Sequence, residues 1–265
     1  MEYFKLLKEF HLKHEVCCLL VNEIEQLIVS KEFEGLRIQS LEGLTFMEKE
    51  HPFDALLRNG RIEEHNLLVR KHIIYGLLID ICYFLQEALI CSAKSRLSVT
   101  MALLRKPFIY GLLTLLRLTI DENFDKEFNE ADAYDPTALS VDEKKILIHY
   151  SMNFLILSKS FTEQDIFDMI FSKQGDSILN MSDKALHYST TRNKNNLSGI
   201  QNFNYIFATA SDIRSIWVYI YAKLPALLLY LTEVIDGVVF HHLDLDISIL
   251  KKRILKREEI ISRDS

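Results

Sequence analysis

Apolar residues recur at intervals of three and four along most of this chain. Phe4, Leu7, Phe10, Cys17, Leu20, Val21, Ile24 and Leu27 keep that spacing and predict a helix from Tyr3 to Val29. Residues 30–60 lose the pattern and read as loops around a short helix near Asp54–Arg58. The period returns from Arg61 to Arg96, a second long helix with the apolar centre IIYGLLIDICYFLQEALIC, and again from Leu97 to Ile120. Pro107 lies inside that third run and is expected to kink it or divide it after Lys106, because proline lacks the amide hydrogen and restricts its predecessor.

Residues 121–139 are acidic and weakly periodic. Ser140 and Glu143 have the spacing of a capping box, which predicts a helix start there and a helix running to about Leu157. Thr162 precedes another helix from Glu163 to about Ser172, with Glu163 and Asp165 complementing its dipole. Residues 173–199 are mostly polar. Ile200 to Phe240 forms a fourth long helical stretch, expected to bend or break near Pro225, and a short charged helix runs from Ile247 to Ile261. No β-type alternation and no internal repeat interrupts this series. The predicted fold is all-α: a single-domain multi-helix bundle of long antiparallel helices covering residues 1–265, with irregular insertions at about 30–60 and 173–199.

Composition strengthens the helical reading. Only 8 glycines and 4 prolines occur in 265 residues, against roughly 30 at ordinary usage. A content of 49% hydrophobic and 26% charged residues is that of a folded chain. The net charge of −6 disfavours a general nucleic-acid coat. Cys17, Cys18, Cys82 and Cys91 form no disulfide framework and read as reduced core residues. Glu2, Lys5, Lys8, Glu9 and Lys13 leave no continuous apolar signal core near the start. Residues 215–235 are long enough to span a bilayer, but Lys223, Pro225 and Glu233 interrupt them. A cytoplasmic location follows from these features, and a membrane is not expected among the partners.

Candidate chemistry is sparse. His11, His14 and Cys18 share one helix face, yet no second cluster completes a zinc site. Glu48 and His51 form one ExxH pair where a di-iron bundle needs two. Asp121, Asn123, Asp125 and Glu127 imitate the start of a calcium loop, but Lys126 stands where glycine is needed. No metal and no cofactor is therefore predicted. Asp80 and Glu87, seven apart in an apolar helix, could face Arg105, Lys106 and Arg117 as a structural charge network. Lys251, Lys252, Arg253, Lys256 and Arg257 read as a solvated helix end. Residues 186–199 concentrate hydroxyls, amides and cations. Thr191, Arg192, Asn193, Lys194 and Asn196 are the candidate binding residues there, suited to phosphate or base edges, with His187 as a general acid or base.

Residues 65–126, with a long helix ending near Ser95-Arg96 followed by Ala102-Leu-Leu-Arg105-Lys-Pro-Phe and Leu112–Leu118, resemble parts of bacterial all-helical proteins of the abortive-infection and HEPN kind. The HEPN hallmark is an arginine followed, after four to six residues, by a histidine, and Arg58 and His65 have that spacing. The resemblance implies a metal-independent ribonuclease pair at Arg58 and His65. Three functional expectations result. The first is a cytoplasmic interaction or effector protein of a stress or phage-defence type, working through a protein partner or self-association. The second is a HEPN-like ribonuclease using Arg58 and His65, or else His187 with residues 190–196, or an RNA- or nucleotide-binding protein. The third is a membrane-associated helical protein using residues 215–235.

Overall fold

The computed structural model describes residues 5–37, 44–45, 47–130, 134–173, 175–187, 209–243 and 245–263. Among these, eleven α-helices and no strand occur. The all-α bundle follows directly from the long 3.6-residue periods.

The first helix, α1, spans His11–Val29, after a 3-10 turn at Lys8–Phe10. A short α2 at Pro52–Arg58 begins where the His51 ring accepts the Phe53 amide, with Pro52 at the first position where its missing N–H costs nothing. Then α3 runs unbroken for 32 residues, Ile62–Ala93. Residues 94–96 turn the chain back, with Ser95 at a left-handed φ of 58°. The next helix continues through Pro107: α4 (Leu97–Arg105) passes into a π turn at Lys106–Gly111 and then α5 (Leu112–Ile120). The wider turn absorbs the proline, so the expected division after Lys106 does not occur. A methyl group on Gly111 would sit 2.8 Å from Ile81 Cγ1, so the missing side chain lets this helix cross α3 closely.

Two shorter elements follow, α6 (Phe124–Glu130) and α7 (Val141–Ser151), the latter opened by the Ser140–Glu143 capping box. It stops well before Leu157. A 3-10 turn at Met152–Phe154 ends it, and the buried carboxylate of Glu233 takes the amides of Ile156, Leu157 and Ser158 out of helical use. The helix α8 (Glu163–Ile170) has a Thr162–Asp165 capping box. Within the predicted polar insertion lies α9 (Ile178–Leu186), capped by Ser177 and tied down by Asn180, whose amide donates to the Ser172 and Gly175 carbonyls. The longest helix, α10 (Ala210–His242), carries Pro225 inside it without a break, and α11 (Ile247–Ser262) closes the order.

Helix α1 packs on both α3 and α10, α4 packs on α3 and α9, α5 packs on α7 and α10, and α11 lies on α1. One continuous apolar core results, with Trp217, Tyr221, Tyr230, Phe33 and Phe108 fully enclosed.

Continuity through both prolines corrects the expected cytoplasmic location. Three helices, Ile62–Ala93, Leu97–Ile120 and Ala210–His242, are long and apolar enough to cross a membrane. At 1.5 Å per residue they reach about 48, 36 and 50 Å, against a hydrocarbon core of about 30 Å. The cytoplasmic effector reading, and the exclusion of a membrane from the partners, rest on reduced cysteines, the missing signal core and the interruption of residues 215–235 by Lys223, Pro225 and Glu233. Pro225 does not break its helix, and three helices, not one segment, have the length and apolar character to cross a membrane.

Candidate functional site

Arg58 is the last residue of α2, and its guanidinium is held by Glu50: Nε lies 2.8 Å from Oε1 and Nη2 lies 2.9 Å from Oε2. Its Nη2 also donates to the Thr45 carbonyl at 2.7 Å. These bonds, followed by the Met47 amide, hold the Glu50 carboxyl down at about 2. The cation thus ties Thr45 and Glu50 to α2. His65 is buried in the first turns of α3, with Nδ1 3.0 Å from Asn66 Oδ1. It lines a cleft whose described wall does not include Arg58.

That cleft, of 830 Å³, is bounded by α2, α3 and α6. Three imidazoles surround the Phe53 ring edge-on: His51 at 4.9 Å, His65 at 5.8 Å and His72 at 6.1 Å between centroids. His65 and His72 are seven apart, so two turns of α3 bring both to one side. Their i, i+7 spacing was readable in the sequence. The approach of His51 was not, because it depends on how α2 folds back on α3. Asp54, Glu122 and Lys126 complete the polar rim, while Asp125 is occupied by Arg70 at 2.8 Å. Among the described residues, no group of three or more His, Cys, Asp or Glu side chains is placed to hold a metal ion. The lining mixes carboxylates, an ammonium, imidazoles and apolar side chains, and selects no single ligand chemistry.

His187 follows α9 as an exposed residue whose backbone amide donates to Asp183. Thr191, Arg192, Asn193, Lys194 and Asn196 lie outside the described residues.

The charged positions in the apolar helices fall into separate groups. Lys106 Nζ lies 2.8 Å from Asp80 Oδ1 and 4.5 Å from the Phe84 ring centre, so that α3 and the π turn share a compact ion pair. Arg105 instead reaches Asp183 on α9, and Arg117 reaches Asp121 and Glu127. Glu87 is exposed. His14 Nδ1 lies 2.8 Å from Tyr221 Oη, which in turn lies 2.9 Å from Ser92 Oγ, and Cys18 Sγ is 3.6 Å from His14 Nε2. Burial, and secondarily His11, lower the His14 pKa. This chain of polar groups pins α1 to α10 and α3.

The basic cluster of α11 is divided by its own period. Lys251, Lys252 and Lys256 face outward, but Arg253 and Arg257 are buried. Arg253 Nη2 lies 2.9 Å and Arg257 Nη1 2.5 Å from the Asp236 carboxylate, and Arg253 also donates to the Glu23 carbonyl. The expected solvated helix end is therefore half of a buried ion cluster. Its partners on α1 and α10 are more than two hundred and about twenty residues away in sequence, respectively, so spacing could not reveal it.

The three long apolar helices differ in how much protein covers them. In their most apolar stretches, 72% of the residues of α10 are buried, 61% of those across α4 and α5, and only 39% of those of α3. Gly76, Tyr83, Glu87 and Ile90 mark the uncovered side of α3 at helical spacing.

No protein-family model matches the chain, and no curated protein and no solved structure matches it. The HEPN resemblance thus has only the residues quoted above to carry it.

Proposed function

We propose that this protein is a membrane-associated helical bundle whose α3 lays its uncovered apolar side against lipid. The observation that carries this reading is the contrast between composition and cover in α3. The helix is long and apolar enough to cross a bilayer, yet only 39% of its most apolar stretch is buried in protein. A water-exposed helix of a bundle usually presents a polar outer face. The exposed positions of α3 between residues 73 and 90 are instead Gly76, Tyr83, Glu87 and Ile90, with Glu87 the one charge among them and the Asp80–Lys106 ion pair beside them.

Several ionisable groups within the apolar helices support the reading by their pairing, Glu87 on the exposed side of α3 being an exception. Charges at membrane depth are expected to meet partners or backbone groups. Asp80 meets Lys106, Asp236 meets two arginines, and Glu233 is enclosed by three backbone amides and the Ser158 hydroxyl. The π turn at Pro107 is also the kind of local adjustment by which such helices satisfy backbone groups freed by proline.

Membrane fractionation tests this. The full chain should sediment with membranes, resist washing with high salt and alkaline carbonate, and float with lipid vesicles. A double substitution Tyr83→Asp and Ile90→Asp on the uncovered side should reduce flotation while preserving helical content by circular dichroism. A full chain that stays monodisperse at high concentration without detergent, and does not float, overturns the reading.

A further inference from the structure

The uncovered side of α3 has a symmetry of its own. Gly76, Tyr83 and Ile90 stand on it at intervals of seven, the spacing that sets one residue of a helical seam above the next. Tyr83 is 63% exposed and Ile90 is 44% exposed. Gly76 is a notch, where a methyl group would meet nothing within 4 Å. An apolar knob and an empty position thus lie equally far on either side of an exposed ring.

Charge follows the same stripe along one flank. Asp80 and Glu87 are also seven apart. Glu87 is exposed and has no ion-pair partner among the described residues. The Lys106 ammonium lies 2.8 Å from Asp80 Oδ1 with its side chain 46% exposed. An ammonium carries three N–H donors, so it has room for a second carboxylate.

We propose that, in water, two copies of this chain pair antiparallel through α3 about a two-fold axis at Tyr83. The axis sets each residue opposite the one equally far beyond Tyr83, so the contact is the same patch on both copies. Ile90 enters the notch at the partner's Gly76, and the partner's Ile90 enters the notch at Gly76. Tyr83 meets the partner's Tyr83. Glu87 comes opposite the partner's Ile79, one residue from the partner's Asp80, within reach of the partner's Lys106. A parallel pair would instead bring the two Glu87 carboxylates together, and like charges opposed in an interface repel. The pairing covers an apolar stripe that water otherwise meets. It uses the face given above to lipid and rests on the membrane reading in one respect: lipid and partner compete, so vesicles should dissolve the pair.

Sedimentation velocity of the full chain in detergent-free buffer tests the pairing. A monomer–dimer equilibrium is expected. Gly76→Leu fills the notch at a site with open space around it and raises helix propensity. That variant should fold and stay monomeric. Glu87→Lys and Lys106→Glu should each weaken pairing roughly tenfold or more, because each meets a like charge twice in its own dimer. An equimolar mixture of the two should restore the dimer, because each copy then meets the opposite charge in the other. Circular dichroism melts check that all three variants fold.

A chain that is monomeric at every concentration, or that cannot be held in water without detergent, overturns the pairing. So does a Gly76→Leu dimer, or a mixture no more dimeric than its parts. Flotation with phosphatidylcholine vesicles separates this proposal from the membrane reading. A dimer that dissociates as it floats supports both. A dimer that ignores vesicles leaves the pairing standing and overturns the membrane reading. A monomer that floats does the reverse, and a dimer that floats undissociated overturns the competition between lipid and partner.

Discussion

Gly237 faces the ring of Phe154 so closely that a methyl group in its place would sit 2.4 Å from the ring carbon Cγ. The contact joins α10 to the 3-10 turn that ends α7. It is backbone against a side chain whose position is set by the turn, so the ring has little room to retreat. Gly237→Ala should destabilise the fold by about 1–3 kcal/mol, the usual cost of overpacking. Thermal melts of Gly237→Ala, Phe154→Ala and the double variant check it. The two effects should be non-additive, with Phe154→Ala costing less in the alanine background. Additive effects would show that the two residues do not press on one another.

Asp236 is the only carboxylate bonded to the buried guanidinium of Arg257 among the described residues. Arg253 shares it. Asp236→Asn keeps the shape and removes the charge, leaving two enclosed cations with Glu23 alone nearby. The expected loss is about 3–5 kcal/mol, typical of a buried ion pair with one partner removed. Denaturant unfolding measures it. Replacing the whole cluster by apolar residues of similar volume should cost less than the single change.

Glu233 accepts the amides of Ile156, Leu157 and Ser158 at 3.1, 2.7 and 3.0 Å. Glu233→Gln weakens this charge-assisted set and presents N–H groups where acceptors are needed. Stability should fall by about 1–3 kcal/mol. Hydrogen exchange should speed up at residues 156–158 before it does in α8. Unchanged protection there would mean the carboxylate does not organise the turn.

The Glu50 carboxyl is held at about 2 by Arg58 and the Met47 amide, below an ordinary value of 4.5. Its folded-state pKa is depressed, so its contribution is fully present above about 4.5 and disappears as pH falls toward 2. Following the Glu50 carboxyl by nuclear magnetic resonance should show that late titration. Arg58→Gln should return it to the ordinary range and loosen the hold on Thr45 and Glu50, seen as faster proteolysis there. A normal titration in the unsubstituted protein would remove Arg58 from this structural role.

Helix type and most helix starts were legible because they depend on neighbours in sequence. The Ser140–Glu143 cap joins residues three apart and forms as its spacing predicts, and the helix expected after Thr162 starts at Glu163, where Asp165 also closes a cap on Thr162. The errors lie where a distant residue competes. Leu157 leaves the helix because Glu233 claims its amide, and α9 forms because Asn180 and Ser177 tie a polar stretch to the carbonyls before it. Both prolines predict a kink or a break, since locally each removes one hydrogen bond. Packing keeps the helices continuous around them, and that continuity is what leaves three apolar helices of membrane-crossing length. At the cleft, the His65–His72 spacing was visible, while the arrival of His51 and Phe53 was not.

The sequence by itself determined that this chain is helical, nearly free of turn-forming residues, and apolar along most of its length. Those properties are local: each helix forms from its own period and its own caps. Tertiary structure alone decided which apolar sides are covered. It buried most of α10, left much of α3 open, and enclosed Arg253 and Arg257 against Asp236. The reason is that burial belongs to pairs of helices. A helix apolar on every side carries no mark of which side its neighbours will take.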